Sequence, residues 1–344
     1  MAYTNIDKSS LHFNTKLYSG TGSSNAITGV GFQPDFTWIK RRSAASSNQL
    51  FDAVRGVTKR VFSDTNEAES TDATTLTSFD TDGFTVSTHT GLNNSSDTYA
   101  SWNWKANGQG SANSDGTITT TYTSANTTAG ISIIQYTGNS TSGATIGHGL
   151  GVEPSVYFCK KTNSSGDNWG FYHKSLGATK YLLLNTNDAQ ATSSAPWNDT
   201  APTSSVITLG NSTAVNGNTD TFIGYAFAEV KGFSKFGSYV GANTNQFIYL
   251  GFKPAMVIIK NTSITENWSI YDNKRLGYNP AHNRLYPNLN NAEATETKID
   301  FVSNGMMLRS AGDGHLTGGT NTFVYMAFAE APLVGSNNVP CTAR

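Results

Sequence analysis

One ten-residue run occurs three times in this chain, and its recurrence constrains the fold more than any other feature. Residues 31–40 read GFQPDFTWIK, residues 151–160 read GVEPSVYFCK and residues 251–260 read GFKPAMVIIK, so that Gly, Pro and Lys keep one spacing. Self-similarity at a fixed period is typical of a repeat architecture. A period of about 100 residues is the size of an ordinary domain. We therefore expect three copies of one unit, each with a core of its own.

Further landmarks recur in the same order around that run. Each copy has an upstream Tyr-x-Gly, an aromatic segment that ends at a glycine, an Asn-x-Ala-(Glu/Gln) motif and a closing aromatic strand. The tyrosines are Tyr18, Tyr136 and Tyr239, the Asn-x-Ala motifs begin at Asn66, Asn187 and Asn290, and the closing strands are 98–104, 221–227 and 322–328. Landmarks that share one order three times indicate diverged copies of one sequence.

The landmarks and the composition predict where each copy begins and ends. The expected units are a first repeat at 1–108, a linker at 109–129 rich in Gly, Ser, Thr and Asn, a second repeat at 130–232, a third repeat at 233–335 and a C-terminal tail at 336–344. Because Gly/Ser-rich segments are flexible, we expect the first copy to be freer to move than the other two. The short connection at 229–237 predicts a fixed angle between the other two.

The segments within each copy read as short strands. Residues 36–40 and 256–260 are apolar, β-branched or aromatic and follow a Pro, which suits the start of a strand. The closing strands lack strict alternation, which predicts burial on both faces. The dipeptides Asp-Gly at 82–83 and Asn-Gly at 304–305 favour type I′ hairpin turns. The predicted fold class is all-β, with three tandem antiparallel β-sandwich domains of the jelly-roll or lectin-like kind.

Charge and hydropathy argue against two classes of partner. Lys and Arg number 23 against 24 Asp and Glu, a net charge of −1 that lacks the basic footprint of a nucleic-acid binder. No apolar run reaches the roughly 18 residues of a membrane span, and the N-terminus lacks a signal-peptide pattern. We expect no nucleic acid, no membrane insertion and assembly in a cytoplasm. Charged residues total only 14%, which suits an exposed or assembled β-rich protein.

The residues that most resemble metal ligands have plainer interpretations. The run 80–83 (Asp-Thr-Asp-Gly) could begin a calcium loop, but the third copy has Val-Ser-Asn-Gly at 302–305, so a hairpin turn is favoured. Six histidines are present, and no position carries His in all three copies: His12, His89, His148, His173, His282 and His315. Cys159 and Cys341 are expected to be free thiols. No cofactor or metal is expected.

Three lysines and three acid or amide positions recur with the repeat. Lys40, Lys160 and Lys260 are invariant, which leaves open a ligand role or, as favoured, a stem along the sheet with its amine in water. The acids Glu69 and Glu293 are replaced by Gln190 in the second copy, which suggests a hydrogen bond rather than an ionised catalyst. Paired carboxylates for glycoside cleavage stay open, since they would meet only in the fold.

The recurring aromatic positions read as core. Trp102, Tyr225 and Met326 align, as do Trp104, Phe227 and Phe328, and positions that accept any bulky apolar group favour burial over ligand contact. Trp169 and Trp268 are absent from the first copy, which has Asn48-Gln49-Leu50 there, and a sugar-stacking role for them stays open. No catalytic, cofactor-binding or metal residue is assigned.

Several longer motifs resemble a recurrent arrangement in marine bacteriophage proteins. They are GHGLGVEP at 147–154, YAFAEV at 225–230, FSKFGSY at 233–239, LFDAVRG at 50–56 and WNWK at 102–105. The arrangement is similar to a tandem domain of unknown function in virion-associated proteins, often beside lectin-like sandwiches. The resemblance implies a phage structural component such as a tail fibre, a tail-tip protein or a head-decoration protein. That family supplies no catalytic residues to carry over.

Three functions follow as expectations. The first is a non-enzymatic virion structural protein, exposed on the particle and serving attachment or assembly, with other virion proteins and further copies of itself as partners and a host surface glycan as a candidate ligand. The second is a carbohydrate-binding module. The third is a polysaccharide depolymerase, which predicts clustered carboxylates in an open cleft.

Overall fold

The computed structural model describes residues 3–309 and 312–334, apart from the side chains at 281–282. The tail at 336–344, with Cys341, lies outside the described residues. Within them the fold is all-β, and every pairing between the named strands is antiparallel. No helix in this part of the chain has the length and apolarity that a membrane span requires.

The first copy has two sheets. Its strands are β1 (Phe13–Ser19), β2 (Asn25–Thr28), β3 (Phe36–Arg41), β4 (Gln49–Asp52), β5 (Lys59–Phe62), β6 (Ser70–Thr71), β7 (Leu76–Asp80), β8 (Gly83–Val86) and β9 (Thr98–Trp104), with one helical turn, α1 (Thr90–Asn93). The large sheet has the order β1-β9-β3-β4-β5-β6, and the small sheet has the order β2-β8-β7.

The second copy repeats this plan. Its strands are β10 (Tyr122–Asn126), β11 (Ile131–Thr137), β12 (Ala144–Gly147), β13 (Val156–Lys161), β14 (Gly170–His173), β15 (Lys180–Leu183), β16 (Ala191–Thr192), β17 (Val206–Leu209) and β18 (Thr221–Phe227), with α2 (Thr213–Asn216). The large sheet has the order β10-β11-β18-β13-β14-β15-β16, and the small sheet pairs β12 with β17.

The third copy keeps the central strand order of this plan but distributes its strands between two four-stranded sheets, and its closing strand is longer. Its strands are β19 (Ser234–Val240), β20 (Gln246–Tyr249), β21 (Phe252–Asn261), β22 (Ser269–Asp272), β23 (Ala281–Arg284), β24 (Ala294–Val302), β25 (Gly305–Leu308) and β26 (Thr322–Pro332). The sheets have the orders β19-β26-β21-β22 and β20-β25-β24-β23. The antiparallel sandwich that the sequence predicts is therefore confirmed as the fold class.

One face of each large sheet packs against the small sheet of its own copy. Three separate clusters of buried side chains fill these interiors, one for each copy. Aligned members are Tyr99, Phe222 and Phe323 on the closing strands and Phe84, Ile207 and Met306 on the small sheets. Successive strand residues point to opposite faces, so the neighbours of these aromatic residues point away from the copy's own interior.

The opposite faces of the large sheets meet in a core that all three copies share. One buried cluster combines Trp104 from the first copy, Phe227 from the second and Phe328 from the third. Their ring centroids lie 5.5 to 6.1 Å apart, so three aligned residues form a triangle. The closing strands are thus buried on both faces, as predicted, and the three copies are arranged with approximate threefold symmetry.

The segment 109–129, which its composition predicts to be a flexible linker, packs against the second copy. Strand β10 pairs with β11, and Ile118 forms a bridge with Ile146 and is only 8% exposed. Thr117 and Thr145 each accept a backbone N–H from the other through their hydroxyls, at 2.9 and 2.8 Å. The expectation of a flexible linker and a freer first copy is wrong, because the shared core and these contacts hold that copy in place.

Both predicted hairpins form, but each turn lies one residue earlier than expected. The loop between β7 and β8 is Thr81-Asp82, neither of which has a positive φ, so the turn is not type I′. Gly83 is the first residue of β8, and a Cβ there would stand 1.9 Å from the carbonyl oxygen of Ile27. The glycine is needed for close approach of a neighbouring strand rather than for the turn.

A shared core predicts that the copies unfold together. Trp104→Ala should remove one corner of the central triangle and lower the free energy of unfolding by about 3–5 kcal/mol. Urea unfolding followed by tryptophan fluorescence and by circular dichroism should give one coincident transition for wild type and variant. Val57→Ala, at a side chain 37% exposed, is the control, with an expected change within about 0.5 kcal/mol. Two separated transitions in the wild type would contradict the shared core.

Candidate functional site

The three invariant lysines are buried where one copy meets the next. Lys40, Lys160 and Lys260 are all 0% exposed. Each ammonium donates to a carbonyl of the preceding copy's Asn-x-Ala motif: Lys40 to Asn290 (2.9 Å), Lys160 to Asn66 (3.3 Å) and Lys260 to Asn187 (3.3 Å). The favoured expectation of an amine in water is wrong, because the neighbouring copy covers the end of each side chain.

Burial changes the protonation of these lysines. Loss of water around the ammonium lowers the pKa of each to about 8, since desolvation disfavours the charged form. Second carbonyls from the lysine's own copy complete the hydrogen bonding, for example Asp167 at 3.0 Å from Lys160 and Glu266 at 2.8 Å from Lys260. Each lysine therefore acts as a polar clamp between two loops.

The Asn-x-Ala motif also docks through its own backbone. The N–H of its fourth residue donates to the neighbouring copy just after the lysine strand: Glu69 to Thr162 (2.9 Å), Gln190 to Thr262 (3.0 Å) and Glu293 to Arg42 (2.8 Å). These three acceptors occupy aligned positions. The motif that recurs in the sequence is thus a docking loop, and its recurrence after the invariant lysine in all three copies was the available signal.

Buried ion pairs form a second set of contacts between copies. In the first copy Asp52 binds Arg55 at 2.7 Å, and Tyr225 of the second copy donates to the same carboxylate at 2.8 Å. In the third copy Asp272 binds Arg275 at 2.7 Å and accepts from Trp102 Nε1 of the first copy at 3.1 Å.

The second copy makes the corresponding contact without charge. His173 occupies the aspartate position, and its Nε2 lies 3.2 Å from the carbonyl oxygen of Tyr325 in the third copy. Leu176 stands where the other copies have arginine. Burial lowers the pKa of His173 to about 4.

These contacts explain the alternation of Glu and Gln that the sequence shows. Glu69 and Glu293 are each 3.3 Å from the arginine of their own copy, Arg55 and Arg275. Gln190 belongs to the copy that has no arginine there, so a carboxylate would lack its partner. The acids are structural ion-pair partners, so the hydrogen bond predicted at this position forms as a charged contact with arginine.

The tryptophans considered for sugar stacking are buried. Trp169 and Trp268 are 0% and 1% exposed, and their Nε1 groups donate across the joint to the carbonyls of Phe62 (2.8 Å) and Leu183 (3.1 Å). In the first copy Asn48 replaces tryptophan, and its amide donates to Tyr286 of the third copy at 3.0 Å. A sugar platform at these positions is therefore incompatible with the fold.

The remaining sequence candidates also have structural partners. Both carboxylate oxygens of Asp82 accept backbone N–H groups, from Gly29 and Gly31, which lowers its pKa and occupies the group proposed for calcium. Cys159 is a buried free thiol whose pKa burial raises to about 12. Burial lowers the pKa of five histidines: His12, His89, His148, His173 and His315. Among the described residues no three metal-ligating side chains lie together.

An open cleft lies beside strand β20 in the third copy. It has a volume of about 560 Å³ and is lined by Tyr3, Lys231, Lys235, Tyr249 and Gly251 among others. Lys231 Nζ lies 4.6 Å from the ring centroid of Tyr3, and Lys235 Nζ lies 5.2 Å from that of Tyr249. Sequence reasoning missed this cleft because the N-terminus and the β19–β20 region meet only in the fold.

Comparison with known proteins identifies the family. A family model described as a domain of unknown function (DUF7483) matches residues 8–332. The chain belongs to this family. The single match runs through all three copies, which agrees with their shared core. No curated protein and no solved structure matches the chain at a significant level. The DUF7483 description states no activity, so the resemblance to phage virion proteins stays a prediction.

The buried lysines predict a pH-dependent stability. An unfolded lysine keeps its proton up to about pH 10.5, whereas the folded group loses it near pH 8. The unfolded state therefore binds more protons between these values, and the lysine's contribution to stability rises with pH. The difference in unfolding free energy between wild type and Lys160→Met should grow by about 1.4 kcal/mol per pH unit from pH 8 to 10.

Urea unfolding at a series of pH values measures this difference. Lys59→Met, at a side chain 45% exposed, is the control, and its difference from wild type should not change over the same range. A flat difference for Lys160→Met would show that the ammonium is hydrated in the folded protein.

The neutral residues of the second copy can be introduced at the ion-pair positions of the first copy as a test. Arg55→Leu alone leaves Asp52 buried without its cation and should cost about 3–5 kcal/mol of unfolding free energy. The triple variant Asp52→His, Arg55→Leu, Glu69→Gln copies the second repeat and should cost less than Arg55→Leu. Thermal and urea unfolding compare the two. A triple variant less stable than Arg55→Leu would contradict the coupling of these positions.

Proposed function

We propose that this DUF7483 protein is a structural component of a bacteriophage virion, exposed on the particle and serving attachment or assembly. The observation that carries the proposal is the cyclic closure of the three copies. The buried lysine of each copy binds the Asn-x-Ala loop of the preceding copy, and the lysine of the first copy binds the loop of the third. The recurring polar side chains that could have formed a catalytic site are used in these joints.

A chain whose three copies contact one another cyclically, with approximate threefold symmetry, is suited to a position in a symmetric particle. Virion proteins assemble around symmetry axes, and a body that presents three similar outer surfaces can make three similar contacts at one axis. The low content of charged residues, 14%, fits such an assembled surface. Other virion proteins and further copies of the chain are the proposed partners, and the resemblance to virion-associated phage proteins supports the same role.

Carbohydrate binding is a second candidate, favoured by one specific observation. The cleft beside β20 has the exposed ring of Tyr249 and two lysines in its wall. A depolymerase would need paired carboxylates in one cleft, and three clefts of the described structure each have a single carboxylate that is bound by a cation. The pairs are Asp272 with Arg275, Asp167 with Lys161 and Glu229 with Lys174.

Mass spectrometry of purified virions tests the structural role. Particles of the phage that encodes the chain should contain it in amounts comparable with other structural proteins, and cryo-electron microscopy should place its density on the tail or the capsid. A replication protein of the same phage is the control, expected in the lysate and not in the particles. Finding the chain in the lysate but not in purified particles would refute the proposal.

A further inference from the structure

The third copy departs from the approximate symmetry on the outer side of its small sheet. Phe247 and Tyr249 on β20 are 42% and 50% exposed. The aligned residues are Ala26 and Thr28 on β2 and Thr145 and Gly147 on β12. Large aromatic side chains are costly to leave in water unless they serve a contact. The exposed rings are therefore a property of this copy alone and not of the repeated fold.

Two lysines stand next to these rings without a counter-ion. Lys231 and Lys235 have no carboxylate within 4 Å among the residues that the structure describes. Lys235 Nζ donates to the carbonyl oxygen of Tyr249, at 2.8 Å. Glu229 also lines the cleft, but it is bound by Lys174 and accepts the Phe236 N–H at 2.9 Å. The cleft therefore has two positive charges that the described protein does not neutralise.

Position and size of the cleft suit a small polar polymer. Tyr3 donates through its hydroxyl to the carbonyl of Gly251 at 2.8 Å and lies next to Tyr249, whose side chain is 50% exposed. The volume of about 560 Å³ lies within the usual range of ligand sites. A pyranose ring has an apolar C–H face that packs on an aromatic ring, and an acidic sugar adds a carboxylate that pairs with ammonium groups.

We propose that this cleft binds an acidic saccharide, with the sugar face on Tyr249 and the carboxylate between Lys231 and Lys235. The inference rests on the proposed function for its biological role, because attachment to an acidic surface polysaccharide is what such a site would serve. Nucleic acid is the less favoured anion, since the chain has a net charge of −1.

The first copy supplies a matched control. A cleft beside β1 and β2 contains Lys16 of the first copy and Lys274 of the third beside Leu17 and Gly29, and no aromatic side chain lines it. The double variants Lys231→Gln/Lys235→Gln and Lys16→Gln/Lys274→Gln therefore make the same change in charge, one with exposed tyrosine and one without.

Calorimetric titration of the full chain with a short oligogalacturonate tests the site, with a maltooligosaccharide of equal length as the neutral probe and single-stranded DNA as the other anion. Lys231→Gln/Lys235→Gln and Tyr249→Thr, which installs the first copy's residue, should each weaken oligogalacturonate binding about tenfold or more. The control double variant should stay within about twofold.

Four results would overturn the inference: no binding of the oligogalacturonate, equal binding of the neutral probe, equal loss in both double variants, or tighter binding of DNA. Failure here is separable from failure of the structural role. If the chain is present in virions but binds no oligogalacturonate, only the proposed saccharide site is refuted. If it binds oligogalacturonate but is absent from virions, only the proposed virion role is refuted.

Discussion

The triangle of Trp104, Phe227 and Phe328 requires three sheets to approach one axis from three directions. Each ring is removed from water only when the other two copies are in place, and burial of such a side chain stabilises the fold by roughly 1.5–3 kcal/mol. The inner face of every large sheet is apolar for this reason. A copy separated from its neighbours would expose that face, so the repeat is a unit of sequence more than a unit of stability.

Apolar contact alone would not set the order or the register of the copies, since packing against an aromatic surface is not directional. The buried lysines and ion pairs supply direction. An ammonium at 0% exposure, such as that of Lys160, is costly unless carbonyls stand where it can donate. The Asn-x-Ala loop of the preceding copy places one there, beside the carbonyl of Asp167 that the lysine's own copy supplies. The Asp–Arg pairs act in the same way, and the second copy shows that a neutral histidine can replace one of them.

Much of the fold was predictable from particular residues. The Gly and Pro that flank the strands correctly indicated an all-β sandwich. The lack of alternation in the closing strands correctly indicated that these strands are buried on both faces. Trp102 and Trp104 were correctly assigned to a core because their aligned residues are apolar and dissimilar. The errors share one cause: Lys40, the 109–129 segment and Gly83 were each interpreted from their own neighbourhood, whereas their role depends on a strand or loop far away in the sequence. The candidate cleft was not predicted for the same reason.

Recurring motifs showed that the chain has three related copies, and turn residues with β-branched and aromatic runs showed that the copies are built of strands, because these signals act locally. What the inner face of each large sheet meets depends on contacts between residues far apart in the sequence. Lys160 and Asn66 are 94 residues apart, Lys260 and Asn187 are 73 apart, and Lys40 and Asn290 are 250 apart. A local sequence pattern predicts that a face is apolar, but it does not predict which neighbour covers that face. The contact between the third copy and the first determines which copies pack against each other.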